Sequence, residues 1–461
     1  MMTSMQIPSV PPATQASPQT AEMASHEKMG LVQCTSLVVG NMIGSGIFTL
    51  PSVLAVYGSI SLIGWLATAF GAICLALVHA RLAGRYPETG GPYIYAKLAF
   101  GRFAAFQTGW TSWVSNGVLG NVSLAIAILS NLTVPFPILA ESIPLQLATT
   151  IGVLWLLTLI NAFGIACGGR FQVILTVIKI IPLFLIGSIG LFYVDWSMIF
   201  PLTSGDFSPF QSFTGAMAIT LYAFIGLESS TIPAGAVENP QKTIPISTVV
   251  GTILTAAVYI LTTVVLMGIV PAATLAKSAS PFGTAGSMIF GEQAGMIFAC
   301  LAAVSAMGTL NGMVLLQGQM PYAIAKDGLF PRIFSYLSPR GVPATGLYIS
   351  SILVTCFLLV GQGKDLVEQF TLLASMTLFC ILVPYLITAA ADATLLWKEK
   401  NEKAASRATK RSLWIAGVAI IYSIISFIGI GGEALLAGIG FLVLSLPVYY
   451  FMDYRHKRFL A

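Results

Sequence analysis

Apolar residues run along this chain in long stretches broken by short polar punctuation, with none of the strict alternation that marks a half-buried strand. Nothing charged lies between Lys28 and Arg81, between Arg102 and Glu141, between Lys242 and Lys277, or between Glu292 and Lys326. Each stretch exceeds the roughly 20 apolar residues that cross a bilayer core as a helix. Divided at Gly, Pro and charge clusters, the pattern predicts twelve helices, at about 30–57, 61–80, 103–131, 145–166, 171–194, 212–236, 244–270, 291–321, 343–361, 366–390, 412–431 and 434–452.

Composition agrees with a polytopic membrane protein. Of the 461 residues 8% are charged and 56% hydrophobic, where a soluble protein carries about 25% charge. That excludes a nucleic-acid binder, a disulfide-stapled secreted domain and a coiled coil. The net charge of +5 matters through its distribution. With the amino terminus cytoplasmic, the inside segments hold 19 of the 22 Lys and Arg residues, and the outside loops keep only Lys277 and Lys364. This asymmetry predicts a multi-pass protein with both termini cytoplasmic. The six cysteines sit in or beside apolar segments without a CxxC spacing, so they read as small core residues rather than as disulfides or a metal site.

Residues 1–28, rich in Pro, Ser, Thr, Gln and Ala, read as a disordered cytoplasmic tail and lack the basic start of a signal peptide. The segment 396–411 is the most hydrophilic of the chain and forms a cytoplasmic basic loop. Read as a seam, it separates ten core helices, in blocks 29–200 and 201–395, from two further helices and a cytoplasmic tail in 412–461; read plainly, it is an ordinary long loop.

Two spans carry features that a helix tolerates poorly. The first contains Gly40-Asn41-Met42-Ile43-Gly44-Ser45-Gly46 near its middle, and each interior glycine costs about 1 kcal/mol relative to Ala. The sixth contains Tyr222-Ala223-Phe224-Ile225-Gly226-Leu227-Glu228-Ser229-Ser230, just before Pro233. Either could simply use glycine to pack helices closely. Yet one opens the first block of five helices and the other the second, and corresponding breaks in two halves point to an inverted-repeat transporter with its site near mid-membrane. Unwound backbone frees N–H groups for a carboxylate and carbonyls for an ammonium. That pairing suits a zwitterion better than a sugar.

The segments GNMIGSGIF from Gly40, PETGGPYIYAKLAFG from Pro87, FIGLESSTIPAGAVENPQKTIP from Phe224, SPFG after the seventh helix and DGLFPRIF after the eighth resemble the amino acid, polyamine and organocation superfamily over about residues 30–450. Within it, the chain is most similar to the bacterial basic amino acid and polyamine antiporters of the arginine-agmatine type. The resemblance implies an all-α integral membrane protein of twelve transmembrane helices, a LeuT-like five-plus-five inverted repeat with the first and sixth helices broken. It implies a bacterial inner-membrane location, a small amino acid or polyamine as partner besides the lipid bilayer, no nucleic acid, no cofactor and no metal, and it leaves a homodimer open.

Carried over by position, the substrate carboxylate meets Gly44, Ser45 and Gly46, and its amino group meets carbonyls near Ile43 and around Tyr222, Ala223, Phe224 and Ile225; its side chain faces Asn116, Met313 and Ser375. Met313 replaces the antiporters' stacking Trp and Ser112 a Tyr, which removes aromatic faces that would hold a guanidinium by cation-π attraction.

Ionisable residues inside spans are functional candidates because burying charge is costly. Glu228 is expected to link transport to pH or to position the unwound sixth helix. Lys179, in a VIKIIP motif about nine residues into the fifth helix, resembles a lysine that stands in for sodium in some sodium-independent members of the superfamily. It is expected to bond carbonyls of the first helix and hydroxyls such as Ser305; a lysine reaching a cytoplasmic vestibule is the plainer reading. His79 and Asp392 are expected to be solvated at helix ends, and Trp110, Trp113 and Phe224 either line a pathway or pack. The leading function is a sodium-independent exchanger of an amino acid and a related amino acid or amine; a proton-coupled symporter and a polytopic membrane enzyme are the alternatives. The chain has three His and no HExxH or GxSxG motif, which argues against the enzyme.

Overall fold

The computed structural model describes residues 28–204, 207–278, 280–361, 366–402, 407–428, 430 and 432–460. The expected amino-terminal tail, apart from Lys28, and part of the basic loop lie outside them. Among the described residues the fold is helical, and its one strand-like feature is a parallel bridge between Met29 and Val237.

The first apolar run forms α1, Leu31–Met42, and α2, Ser45–Ala55, with two non-helical residues between them. Then come α3, Ser61–Arg85, the short α4, Pro92–Phe100, and α5, Arg102–Ser112. α5 continues without a break through one π-helical stretch, Trp113–Leu119, into α6, Gly120–Leu132. α7, Ile143–Ala162, and α8, Ile165–Ile189, complete the first half.

The second half opens with α9, Pro209–Leu221. Its start is written locally: Ser208 and Gln211 form a capping box and Pro209 takes the first helical position, where its missing N–H costs nothing. After α9 the chain does not return to α-helix until α10, Pro240–Ile269. α11, Pro281–Phe290, α12, Glu292–Gln317, α13, Gln319–Lys326, and α14, Ala344–Val360, follow. The last three are α15, Leu366–Glu402, α16, Arg407–Ile428, and α17, Gly432–Leu460. α15 carries the helix six residues past Leu396, so the charged segment begins as helix.

Nine helical segments among the described residues are long and apolar enough to cross a membrane. The three expected spans outside that set are the two interrupted ones and Ala344–Val360, which has 17 residues. α10 packs on α1 and α3, and α9 on α3, while α12 packs on α6, α7 and α8, and α15 on α6 and α16; α8 and α12 also touch α1. The core is therefore continuous, and the two broken helices meet at its centre.

The expectation that the six cysteines are core residues holds for Cys34, Cys74 and Cys380; Cys300 is half-buried, Cys167 and Cys356 are exposed, and all six are free thiols. On helices of this composition an outward thiol faces an apolar surround as readily as a core does.

Candidate functional site

A small cavity lies where the two interruptions face each other. It is lined by Asn41, Met42, Gly44 and Gly46 from the first break, Tyr222 and Ile225 from the second, Asn116, Gly120 and Leu124 from the π-helical stretch and α6, Thr309 and Met313 from α12, and Thr377 from α15. Its volume is about 30 Å³, room for a water or two and not for an amino acid. A substrate of that size would require the walls to part. Asn116 sits within the π-helical turn, a local widening that is frequent at functional sites.

The first break is closed by a lysine. Lys179 of α8 is fully buried, and its ammonium donates to the carbonyls of Gly40 and Ile43, both at 2.7 Å, and to Thr309 Oγ1 at 3.1 Å. These are orphan carbonyls at the C-terminal end of α1, the negative end of its dipole. The Thr309 hydroxyl lies 2.8 Å and 2.9 Å from the same two carbonyls. The expected hydroxyl partner, Ser305, is one turn away with no partner for its Oγ; the register of α12 against α1 brings Thr309 to the break instead.

The second break is closed by a carboxyl group. Glu228 is 1% exposed. Its Oε1 accepts from Asn116 Nδ2 at 2.8 Å, and its Oε2 from Tyr385 OH at 2.6 Å. Gly226 adopts φ 106°, a conformation open to glycine, and a Cβ there would lie 2.8 Å from Asn41 Cβ. The two breaks are also joined directly: Asn41 Nδ2 donates to Ser229 Oγ at 2.8 Å. The Tyr259 hydroxyl, from α10, sits between the carbonyls of Met42 and Ala223.

Neither charged side chain lines the cavity. Thr309 stands between it and Lys179, and Asn116 between it and Glu228. Each charge is thus one hydrogen bond behind the wall. Gly308 and Gly312 make this arrangement possible, because a Cβ at Gly308 would lie 2.8 Å from Lys179 Cε and one at Gly312 1.8 Å from Asn41 Oδ1. The GxxxG spacing in α12 admits polar side chains rather than a second backbone.

Of the substrate-binding candidates, Gly44, Gly46, Asn116, Tyr222, Ile225 and Met313 come together at the cavity. Ile43, Ala223 and Phe224 do not line it, and their carbonyls already accept from Lys179 and Thr309, from Tyr259, and from Tyr385 respectively. Ser45 opens α2, and its side chain lies outside the described residues. Ser375 is half-buried and does not line the cavity, whereas Thr377 does.

Asn41, Thr309, Thr377, Tyr259 and Tyr385 were not singled out by the sequence. Only Asn41 lay inside a motif that could have found it. His79 and Asp392 are buried rather than solvated. Arg81 donates to both oxygens of Asp392, at 3.0 Å and 2.6 Å, and the His79 ring packs edge-on against Tyr385 with centroids 5.8 Å apart. Trp113 donates to Ser350 Oγ at 2.8 Å and packs edge-on against Phe330 and Phe334, while Phe224 packs on Trp65 and Tyr259. These aromatics pack helices.

At one end of the bundle the segment 87–91 and α4 pack against the chain that follows the second break and against Asp327. Gly90 N–H donates to the Ile232 carbonyl at 2.8 Å, and Gly235 N–H to Thr89 Oγ1 at 3.1 Å. Asp327 accepts from Tyr93 OH at 2.6 Å and from Lys97 Nζ at 2.7 Å. Burial, with Asp327 beside it, pushes the Tyr93 phenol well above its ordinary value, so it stays a donor at any physiological pH.

Residues 29–450 match the family described as amino acid permease. Among similar proteins are the putrescine transporter PotE of Haemophilus influenzae, 34% identical over 94% of this chain and 98% of its own length. The cadaverine/lysine antiporter of Escherichia coli K12 is 33% identical over 79% of this chain and 82% of its own. The putrescine transporter PotE of Escherichia coli K12 is 34% identical over 90% and 94%. The chain is a multi-pass membrane protein and belongs to the amino acid permease family, in the amino acid, polyamine and organocation superfamily of membrane transporters.

Proposed function

We propose that the chain is a sodium-independent exchanger of an amino acid and a related amino acid or amine, working by alternating access around the cavity between the two breaks. The observation that carries this reading is the paired arrangement of charges, a buried ammonium behind Thr309 and a buried carboxylate behind Asn116. A fixed protein cation already bridges α1 and α12, where a coupling ion would otherwise be needed, and the named relatives are a putrescine transporter and a cadaverine/lysine antiporter. Gly44, Ser45 and Gly46 stand at the start of α2, whose positive dipole end suits a carboxylate, and Asn116, Met313 and Thr377 face the side chain. Ser375 belongs to the same stretch of α15 and stays a candidate for an opened state.

Twelve spans, counting the two interrupted helices and α14, with five-helix repeats in 29–200 and 201–395, a LeuT-like inverted repeat and both termini cytoplasmic in a bacterial inner membrane, complete the proposal. The positive charges of the chain support that orientation. Rocking of α1, α3, α9 and α10 against the remainder would open the cavity, which is too small for substrate as it stands. A proton-coupled symporter is the second reading, favoured by Glu228, whose proton could trade places with the Asn116 hydrogen bond.

Uptake of labelled lysine, arginine, putrescine and cadaverine into sodium-free proteoliposomes tests both. Uptake that requires preloaded substrate establishes exchange. Uptake into empty vesicles driven by an imposed proton gradient establishes symport instead, and steep stimulation by sodium would refute the role given to Lys179.

A further inference from the structure

Away from the transport cavity, a second and larger cavity of about 630 Å³ opens between the loop after α13 and the end of α17. Its lining carries Lys326 and Arg332 from the loop side and Arg455 and His456 from α17. Ser335 and Tyr336 add hydroxyls, and no carboxylate is among the described residues that line it.

This one-sided charge is not a matter of local composition, because an acid adjoins each basic pair in sequence. Asp327 follows Lys326 but is turned to Lys97 and Tyr93. Asp453 precedes Arg455 by two residues but pairs with Lys457 at 2.8 Å and Arg102 at 3.4 Å. The fold thus takes both nearby carboxylates away and leaves three cations and an imidazole around an open volume.

The chain beside these basic residues is apolar and aromatic. Ile333, next to Arg332, and Tyr450, Phe451 and Tyr454, just before Arg455 on α17, are each more than half exposed, and the Arg455 guanidinium lies 5.8 Å from the centre of the Phe451 ring; such residues are expected where a membrane helix meets the headgroup layer.

We propose that this cavity binds a phosphate-bearing anion, and that the exposed aromatic residues beside Arg455 on α17 make it the headgroup of an anionic phospholipid whose acyl chains lie along α17. Basic pockets between membrane helices recognise such headgroups, and guanidinium groups match phosphate oxygens in pairs.

The test is retention of defined lipids by the detergent-purified full chain, read by native mass spectrometry. Phosphatidylglycerol and phosphatidylcholine of the same chain length are compared, with and without inorganic phosphate. Wild type should retain phosphatidylglycerol selectively. The R332Q/R455Q variant should bind it about thirtyfold less tightly, at about a factor of five per cation, while R407Q/K410Q, which removes equal charge elsewhere, should bind as wild type does.

If inorganic phosphate displaces phosphatidylglycerol and itself protects wild type but not R332Q/R455Q from thermal unfolding, the site stands with a free phosphate as its ligand. Equal retention of both lipids, or equal retention by wild type and R332Q/R455Q, overturns the proposal. A salt titration on wild type reads the site without any variant: selectivity should fall as ionic strength rises, and a salt-independent preference overturns it too.

Discussion

The two interrupted helices solve one problem in opposite ways. Between α1 and α2 the helix stops for two residues and resumes, and the carbonyls it exposes are met by the Lys179 ammonium. After α9 the chain never resumes an α-helix before Pro240, and its carbonyls are met by turns of its own and by tyrosines. The Tyr222 carbonyl accepts from Ile225 N–H, that of Gly226 from Ser229, and that of Glu228 from Thr231. The first break therefore depends on a distant side chain, and the second largely holds itself, using Glu228 to anchor it to α6 and α15. A short break leaves no chain to turn back on itself, so a long side chain from elsewhere must supply the donors.

This difference sets the expected sensitivity of each break. Lys179→Met removes the cation and leaves the Gly40 and Ile43 carbonyls with Thr309 alone. Two charge-assisted bonds at about 1.5 kcal/mol each correspond to about a hundredfold loss of exchange, at about 1.4 kcal/mol per decade. Undiminished exchange in proteoliposomes would mean that the break needs no cation.

Gly226→Ala should come next. A side chain at φ 106° and 2.8 Å from Asn41 Cβ costs about 1–3 kcal/mol, read as a lowered thermal midpoint together with weakened transport. An unchanged midpoint would show that this part of the second break yields freely.

Tyr259→Phe acts on both breaks at once, but unequally. The Met42 carbonyl keeps the Gly44 N–H at 2.8 Å, whereas the Ala223 carbonyl loses the Tyr259 hydroxyl, so the cost is about 1 kcal/mol. Calorimetry or a thermal-shift series on the purified protein measures it.

Glu228→Gln should change exchange least at neutral pH, since an amide of the same shape can still meet Tyr385. Its effect belongs in the pH profile: wild-type exchange should change between acid and neutral pH, and the variant's should be flat. A variant profile that follows wild type would remove Glu228 from proton coupling and leave it as an anchor.

Much of this was legible before any coordinates. Uncharged runs located the spans, glycines located both breaks, and the cost of burying charge pointed to Lys179 and Glu228. What escaped has a common cause. Ser305 and Thr309 lie one turn apart on the same face of α12, and only the axial stagger of α12 against α1 selects between them. Ser375 and Thr377 differ by about 200° around a helix, so the rotation of α15 decides which one meets the cavity. Tyr259 and Tyr385 sit in apolar runs where a tyrosine more often marks a membrane interface. His79 and Asp392 lie near helix ends, and nothing local tells a solvated end from one covered by the Arg81 pair and by Tyr385.

The sequence by itself determined that this chain lies in a membrane, where its helices run, where two of them fail and that Lys179 and Glu228 fall inside spans, because hydropathy and helix propensity act over neighbouring residues. The tertiary structure alone decided which hydroxyl meets Lys179, which amide and phenol hold Glu228, and that both charges stand one hydrogen bond behind the cavity wall. It also turned Asp327 and Asp453 away from the basic cavity beside α17. Those choices depend on the rotation and stagger of helices far apart in the chain, and such quantities are set by packing across the whole bundle rather than by any local stretch of residues.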